Sequence, residues 1–470
     1  MCCNYLIVMK IDLIQPRHNY APPQGLGHVY MPTSLLTAGA RLLNAGVDVT
    51  FHDENIRPTK VSSDYVGFNL LGAPYIPEVI NLQDRIRQEC GEKTFLAGGQ
   101  VISGLSQDQL VQLFGNSTHN GNDDSALARV LGIDRKRLTS PEQTSLIPAY
   151  ERLDAEAMKM YLSREFSLFV SQGCKFSCDF CAAVRTYKDS ETGQTIRVQE
   201  SYRHLDVIKT DLDYLVRKAK SFGLEELQLY LSNLDVFQTP AQLLKFVYTV
   251  QEVKQSNPDF KIRLRGLATV DSFLRAKEDM PNSIEELVNA GFHTVGFGVD
   301  GWTKEVWKAV KKGHNTEEKC LEAIRSSKDD FGITPEILMV FGHPTADTEE
   351  SLSAAYQVTR MVVENNQAVP RPHVSKDFIP GNNGWRSLEH AKAVESLLAH
   401  PESFQSLDFT ALPSKLTHPN EKIRELATKY FLKMCELPGN TTQYVKPITP
   451  DLTPKEIEKV KKFNQNHFDR

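Results

Sequence analysis

Three cysteines lie in one short stretch of the chain, and their spacing is the feature of the sequence best suited to chemistry. Cys174, Cys178 and Cys181 follow the pattern C-x3-C-x2-C. Cysteine thiolates hold 4Fe–4S clusters, most of which have four such ligands. Three thiolates at this spacing can hold three corners of the cluster, which leaves one iron with a coordination position for a substrate or a cofactor.

Other uses of these cysteines fit the sequence less well. Zinc knuckles usually pair a C-x2-C half with a second Cys or His pair downstream, but the next cysteine is Cys320, and His204 stands alone. A disulfide role is disfavoured because the 8 cysteines among 470 residues are unevenly spaced and no secretory signal precedes them. Both features are typical of a reducing compartment. We therefore predict an iron–sulfur site and a cytoplasmic location.

Composition limits the classes of partner. Apolar residues make up 40% of the chain and charged residues 24%, with a net charge of −5, which is ordinary for a soluble protein of two or three domains. The longest apolar runs are far shorter than a membrane span, and no long basic block is present to bind nucleic acid. We expect neither a membrane nor a nucleic acid as a partner.

Residues 1–140 alternate apolar strand patterns with helical ones, which predicts an α/β domain with a Rossmann-like parallel sheet. The segment 116–124 is polar where a fifth strand would be expected, and no GxGxxG fingerprint for a nicotinamide dinucleotide is present. The predicted strands are 7–14, 47–52, 65–70 and 94–97, and the predicted helices are 32–45, 77–90, 106–114 and 125–131.

After a proline-interrupted linker at 141–166, residues 167–387 repeat a strand–helix unit. Six parallel strands fit a partial barrel, since a full eight-stranded barrel needs about 250 residues. Residues 388–470 predict a small helical C-terminal tail, with helices at 421–435 and 453–463. The predicted barrel strands are 168–171, 227–231, 261–265, 294–299, 336–341 and 373–378, and the helices are 203–222, 240–256, 283–290, 317–328 and 348–365.

The cysteine motif, with the aromatic Phe180 just before its last cysteine, resembles the signature of the radical S-adenosylmethionine (SAM) enzymes. The resemblance implies that the open iron chelates the amino and carboxylate groups of SAM and that one electron cleaves SAM to a 5′-deoxyadenosyl radical. It implies that Phe180 lies against the adenine. It also implies an electron donor such as flavodoxin or ferredoxin.

Further stretches of the barrel half resemble this family. The segment 295–301 is similar to its G-V-E-S stretch, with Asp300 where Glu is usual, Lys312-Gly313 matches its K-G, and 341–348 resembles its G-x-P-x-x-T turn. Three alternatives stay open: a helix cap for Asn233 or Asp235, a solvated Arg265, and a passive rather than catalytic His343. The residues that the resemblance implies for SAM binding are Phe180, Asn233, Asp235, Arg265, Asp300 and Pro344.

The N-terminal half resembles the cobalamin-binding domain of cobalamin-dependent radical SAM enzymes, which implies cobalamin as a cofactor beside the cluster and SAM. The D-x-H-x-x-G motif that supplies a histidine to cobalt in many cobalamin proteins is absent, so the lower face of cobalt is unassigned. The residues implied for cobalamin binding lie in loops after the predicted strands and are Gly25, Asn69, Leu70, Gly98, Gly99, Gln100 and Gly121.

The paired resemblance implies cobalamin-dependent methyl transfer to an unactivated carbon of a small molecule. Cyclisation, ring rearrangement or oxidation without methylation is an alternative, and a non-catalytic SAM or cobalamin sensor is an alternative of another class. A methylthiotransferase is disfavoured, because its second cluster would need three cysteines from an N-terminal domain that offers Cys2, Cys3 and Cys90, the first two adjacent.

Overall fold

A five-stranded parallel sheet forms the first half of the chain. The computed structural model describes residues 9–17, 31–183, 187–188, 195–196 and 200–468, and its first sheet has the strand order β2-β1-β3-β4-β5. A short fifth strand does form within the polar segment 116–124, because its backbone pairs with β4. Only Thr118 of this segment is buried, which is why the sequence shows no apolar pattern there. The strands are β1 (Lys10–Gln15), β2 (Asp48–Asp53), β3 (Tyr65–Asn69), β4 (Thr94–Gly98) and β5 (Thr118–Asn120).

A six-stranded sheet forms the second half, and all of its pairings are parallel. Its order is β15-β14-β13-β12-β11-β6, so strands consecutive along this part of the chain are neighbours, as in an open barrel. Its strands are β6 (Glu165–Leu168), β11 (Glu226–Leu231), β12 (Lys261–Ala268), β13 (Phe292–Gly298), β14 (Thr334–Phe341) and β15 (Val369–Val374). Two antiparallel ribbons pair β7 (Ser171–Gln172) with β10 (Ser201–Tyr202) and β8 (Tyr187–Lys188) with β9 (Thr195–Ile196).

Helices follow the strands of both sheets. In chain order they are α1 (Thr33–Asn44), α2 (Tyr75–Cys90), α3 (Gln100–Gly104), α4 (Gln107–Phe114), α5 (Asp124–Val130), α6 (Ile147–Tyr150), α7 (Ala155–Leu162), α8 (Leu205–Ser221), α9 (Pro240–Gln255), α10 (Val270–Asp279), α11 (Pro281–Asn289), α12 (Lys304–Ala309), α13 (Glu317–Asp329), α14 (Glu349–Glu364), α15 (Ala391–Ala399), α16 (Glu421–Cys435) and α17 (Pro454–Phe468).

The predicted fold class is therefore confirmed, and the first and last barrel strands begin earlier than predicted, for physical reasons. The first barrel strand begins at Glu165, whose charge hides it in the sequence but whose carboxylate pairs with Arg265 inside the sheet. The last strand begins at Val369 instead of 373, because Pro370 and Pro372 obscure the pattern. Proline, which lacks an N–H, is tolerated in β15 because β15 is an edge strand.

Helix α1 joins the two halves because both of its faces are apolar. Leu35 and Leu42 pack in the core of the first sheet, whereas Leu36 and Ala40 pack in the large core that includes Tyr150 of the linker and the barrel strands. The buried stripe therefore runs around most of the helix, as expected for a helix covered on two sides. This packing brings the carboxyl edges of the two sheets toward one another.

The C-terminal region packs against both halves. Phe431 of α16 lies in the barrel core, with its ring 5.9 Å from that of Phe341. Val394 and Leu397 of α15 share an apolar cluster with residues of α2 such as Val79. No helix among the described residues is long and apolar enough to cross a membrane.

Candidate functional site

The cysteine loop leaves the carboxyl edge of the second sheet after β7. Cys174 and Cys178 are buried and Cys181 is half-buried, and the backbone N–H of Cys181 donates to the carbonyl of Cys178 at 3.2 Å. Within the residues that the structure describes, no three His, Cys, Asp or Glu side chains are gathered as the ligands of one metal ion. The sequence-predicted triplet therefore lies together in one loop without forming a single-ion site.

Loops from three other strands hold the cysteine loop. The side-chain oxygen of Gln238, beyond β11, accepts from the backbone N–H of Lys175 at 2.7 Å. Asp179 accepts from Lys311, beyond β13, at 2.6 Å and from Asn383, beyond β15, at 3.0 Å. These hydrogen bonds hold the loop against the same barrel edge on several sides and so restrict its position.

A buried ammonium lies beside the cysteines. Lys312 forms an ion pair with Asp300 and donates to the carbonyl of Gly298 at 2.7 Å. Burial alone would lower the pKa of Lys312, but the charge of Asp300 raises it overall, so the side chain stays charged. Burial raises the pKa of the Cys178 thiol to about 12, and Lys312 opposes that rise. The ammonium therefore favours the thiolate, which is the form that binds metal.

The aromatic ring of Phe180 lies between this ion pair and the turn after β14. Its centroid is 6.0 Å from Nζ of Lys312 and 5.8 Å from the ring of His343. Pro344 follows His343 in the same turn. Three of the residues predicted to bind SAM, Phe180, Asp300 and Pro344, are therefore brought together beside the cysteine loop.

His343 is held at both ring nitrogens. Nε2 donates to the carbonyl of Val340 at 3.0 Å, and Nδ1 accepts from the hydroxyl of Ser375 at 2.8 Å. The side chain is also buried. These bonds assign His343 the passive role of the two that the sequence left open, since neither nitrogen is available to a reactant.

Asn233 offers a buried acceptor at the carboxyl end of β11. Its amide nitrogen donates to the hydroxyl of Ser171 at 2.7 Å. Its Oδ1 is buried and accepts no hydrogen bond from the described residues. An unsatisfied buried carbonyl is costly, so this oxygen is suited to a donor from a ligand.

Asp235, the alternative to Asn233, is used within the fold. Its carboxylate accepts from the hydroxyls of Ser272 at 2.5 Å and Thr269 at 2.9 Å. These residues form the first turn of α10, so Asp235 supports that turn and not the helix at Pro240 that the sequence indicated. Burial raises its pKa to about 6. Both carboxylate oxygens of Asp235 are thus engaged within the fold.

Arg265 is half-buried and paired with carboxylates of the protein. Its guanidinium pairs with Glu165 and, at 3.3 Å, with Glu336, and it lies 5.1 Å from the ring centroid of Tyr230. The two carboxylates come from other strands of the same sheet. Carboxylates of the protein thus accept from all three side-chain nitrogens of Arg265, and its binding of a SAM carboxylate stays a prediction.

A cavity of about 400 Å³ lies between the carboxyl edges of the two sheets. From the barrel side it is lined by Phe169, Ser171, Gln172 and Gly173, which lead directly into the cysteine loop. From the first domain it is lined by five of the residues predicted to bind cobalamin, which are Asn69, Gly98, Gly99, Gln100 and Gly121.

One of the predicted cobalamin-binding residues that the structure describes does not line this cavity. Leu70 is fully buried, and its carbonyl lies against Gly99, where an added Cβ would come within 2.4 Å of it. Gly99 has a φ of +107°, which suits glycine alone. The carbonyl of Leu70 thus packs against the glycine turn. Gly25, also predicted to bind cobalamin, lies outside the described residues.

Asn122 was not among the residues predicted for the site. Lys312 was noted only as part of a motif. The side chain of Asn122 accepts from the backbone N–H of Gly99 and donates to its carbonyl, both at 2.7 Å. It therefore clamps the glycine turn at the cavity wall. The only signal in the sequence was its position beside Gly121 in a turn-forming stretch.

Comparisons with known proteins agree with this geometry. The family model of the radical SAM superfamily matches residues 168–355, so this part of the chain is a radical SAM domain. The cysteine loop is the first loop of this domain. No curated protein matches the chain.

The whole fold is similar to that of solved cobalamin-dependent radical SAM enzymes. The methyltransferase TsrM from Kitasatospora setae, with cobalamin and a 4Fe–4S cluster bound, has a TM-score of 0.60 at 16% identity, over 83% of this chain and 79% of that one. TsrM with tryptophan and a SAM analogue gives 0.55 at 16% identity, over 78% and 73%. OxsB with aqua-cobalamin and SAM gives 0.56 at 14% identity, over 86% and 57%. The resemblance noted in the sequence is thus confirmed at the level of fold.

Asp235→Asn tests the interior role of that carboxylate. Because the pKa of Asp235 is raised, the folded protein keeps a proton that the unfolded chain releases, so its stability falls as the pH rises from about 4 to about 6. The variant does not titrate, and we expect it to escape this loss, on the order of 2 kcal/mol. Thermal unfolding midpoints at several pH values measure it, with exposed Asp259→Asn as the control. An equal pH response of wild type and Asp235→Asn would contradict the assignment.

Proposed function

We propose that this radical SAM enzyme holds a 4Fe–4S cluster on Cys174, Cys178 and Cys181 and cleaves SAM at it. The observation that carries the proposal is the set of three cysteines in one clamped loop beside the buried ammonium of Lys312. Three thiols are the donor set that a cluster with one open iron needs. When bound, the cluster supplies the electron that cleaves SAM to a 5′-deoxyadenosyl radical.

The surrounding side chains would bind and orient SAM. The buried Oδ1 of Asn233 is placed to accept from its amino group. Phe180 and the turn at Pro344 offer an apolar surface to the adenine, and Asp300 offers a carboxylate to the ribose hydroxyls. Asp300 is itself held by Lys312, so its position does not depend on the ligand.

We propose that cobalamin, as a second cofactor, binds against the first-domain wall of this cavity. Gly98, Gly99 and Gly121 keep its wall free of side chains, and a Cβ on Gly121 would lie 3.2 Å from the carbonyl of Ala97. Glycines of this kind let a large ligand approach the backbone. Because the same cavity reaches Gly173, cobalamin and SAM would lie on opposite sides of one reaction space.

This arrangement supports methyl transfer to an unactivated carbon of a small molecule. One SAM would give the radical that removes a hydrogen atom from the substrate, and cobalamin would supply a methyl group that a second SAM restores. The solved TsrM is a methyltransferase, which supports this outcome. A radical reaction without methylation uses the same two sites and is the second candidate. A sensor would bind SAM without cleaving it.

Anaerobic reconstitution with iron and sulfide tests the cluster and separates these functions. We expect wild-type protein with reductant to convert SAM to 5′-deoxyadenosine, and methyl transfer to yield S-adenosylhomocysteine as well once substrate is present. Deoxyadenosine without S-adenosylhomocysteine would indicate the second candidate. SAM binding without either product would indicate a sensor and contradict the proposal.

Cys178→Ala should lower the iron content and SAM cleavage about ten-fold or more, because it removes a ligand. Cys320→Ala is the matched control, since Cys320 is also a buried thiol but lies outside the loop. We expect the control to retain iron, sulfide and the cluster absorbance. An intact cluster in Cys178→Ala would overturn the ligand assignment.

Gly121→Leu tests the cobalamin site separately. Its Cβ would press on the backbone of Ala97 and Gly98 at the cavity wall, so we expect the displaced wall to lower corrinoid binding about ten-fold or more, equivalent to at least ~1.4 kcal/mol. The cluster should be unaffected. Gly72→Leu is the control, because an added Cβ there meets only Pro74, at 3.5 Å. The cobalt content and the absorbance of the protein are measured after incubation with hydroxocobalamin. A cobalt content in Gly121→Leu equal to that of the wild type would contradict this part of the proposal.

The electron that the cluster needs would come from an acidic donor protein of the flavodoxin or ferredoxin type. Four exposed lysines, which we call the lysine face, lie in the cysteine loop and in and after α12: Lys175, Lys304, Lys308 and Lys311. Lys311 pairs with Asp179 of the loop, and Lys304 and Lys308, four residues apart in α12, share one face of that helix. A positively charged lysine face on a protein whose net charge is −5 favours the docking of an acidic partner at that face.

Lys304→Glu combined with Lys308→Glu should slow cluster reduction by reduced flavodoxin about ten-fold at low salt. Reduction by dithionite, a small molecule, should not change. The control carries the same charge change in exposed Lys220 and Lys261, at the opposite edge of the barrel. Stopped-flow absorbance gives the rates, and an equal loss in both double variants would argue against the lysine face.

A further inference from the structure

The C-terminal region reaches the SAM site through one buried histidine. His418 precedes α16 and is fully buried. Its Nε2 donates to the carbonyl of Gly342 at 2.6 Å, and its Nδ1 accepts from the hydroxyl of Thr417 at 3.0 Å. Gly342 begins the turn after β14 that carries His343 and Pro344. A residue of the tail therefore holds the first peptide of the proposed adenine-binding turn.

The turn that begins at Gly342 has an unusual backbone conformation, and we expect it to depend on the hydrogen bond from His418. Gly342 has a φ of +77° and lies just beyond Phe341, the last residue of β14 that pairs with β15. A Cβ added there would lie 3.0 Å from Cβ of Ala427 in α16 and 3.3 Å from Nε2 of His418. The C-terminal helix thus packs closely on the turn, and His418 supplies the polar contact.

His418 is a fixed and neutral donor. Burial lowers its pKa to about 3, and the nearby charges of Lys376 and Arg424 act in the same direction. The carbonyl of His418 accepts from Arg424 at 3.1 Å. A neutral imidazole whose Nδ1 accepts a hydrogen bond must carry its proton on Nε2, so the bond to Gly342 is always available.

We infer that His418 is a positioning residue for SAM, which fixes the Gly342–Pro344 turn against which the adenine binds. The inference rests on the proposed function. It gives the C-terminal region, which matches no motif in the sequence, a role at the site. His418 does not touch the reacting atoms, and its effect passes through the turn to Phe180, which lies 5.8 Å from the ring of His343.

His418→Leu removes the donor and keeps an apolar side chain. We expect the dissociation constant for SAM, measured by anaerobic equilibrium dialysis on reconstituted protein, to rise about ten-fold, as for one lost hydrogen bond. Iron content and cluster absorbance should equal those of the wild type, and KM for SAM should rise more than kcat falls. In His418→Gln the side-chain amide can again donate to Gly342, so we expect affinity near that of the wild type.

Lys376→Met is the control for loosening of the C-terminal region in general. Lys376 is fully buried and donates to the carbonyl of Ala411 at 2.9 Å, but the structure gives it no bond to the turn. We expect this variant to bind SAM normally. Gly342→Ala disturbs the same contact from the other side, and it should weaken SAM binding even if His418→Leu fails to fold.

The outcomes separate the inference from the proposed function. Normal SAM affinity in folded His418→Leu, or an equal loss in Lys376→Met, would overturn the inference alone. A wild-type protein that assembles no cluster or binds no SAM would overturn the proposed function and the inference with it. Weakened binding in His418→Leu, restored in His418→Gln, supports it.

Discussion

The buried ion pair of Lys312 with Asp300 is the interaction on which the rest of the site depends. An ammonium held out of water is stable only with a charged partner, and here that partner is a candidate ligand for SAM. The same ammonium lies beside Cys178 and Phe180, so it links the cysteine loop to the proposed adenine surface. Its charge also offsets the negative charge that three thiolates would bring into a buried loop.

The parallel order of both sheets explains why so many candidate residues meet. In parallel sheets the carboxyl ends of the strands share one edge, and helix α1 packs between the two domains with apolar residues on both faces. The glycine turns of the first sheet and the cysteine loop of the second therefore line one cavity. Two cofactors could share a substrate only in such a place.

The C-terminal region extends this architecture beyond the barrel. It packs against the last strands through Phe431, and its buried His418 bonds to the turn after β14. A tail without a motif of its own can thus set the shape of a ligand site. Such a role requires a neutral hydrogen-bond donor, a carbonyl beyond the end of the strand, and close packing of the helix on both.

The sequence by itself determined what depends on near neighbours in the chain. The cysteine spacing, the aromatic residue at Phe180, the glycines after β4 and most strand and helix positions follow from local pattern and periodicity. Only the tertiary structure decided which charges and donors meet. Arg265 pairs with Glu165 at a separation of 100 residues, Asp235 accepts from Ser272 at 37, and His418 donates to Gly342 at 76. Such pairs depend on strand order and on how the tail docks, and short-range patterns in a sequence carry no information about either.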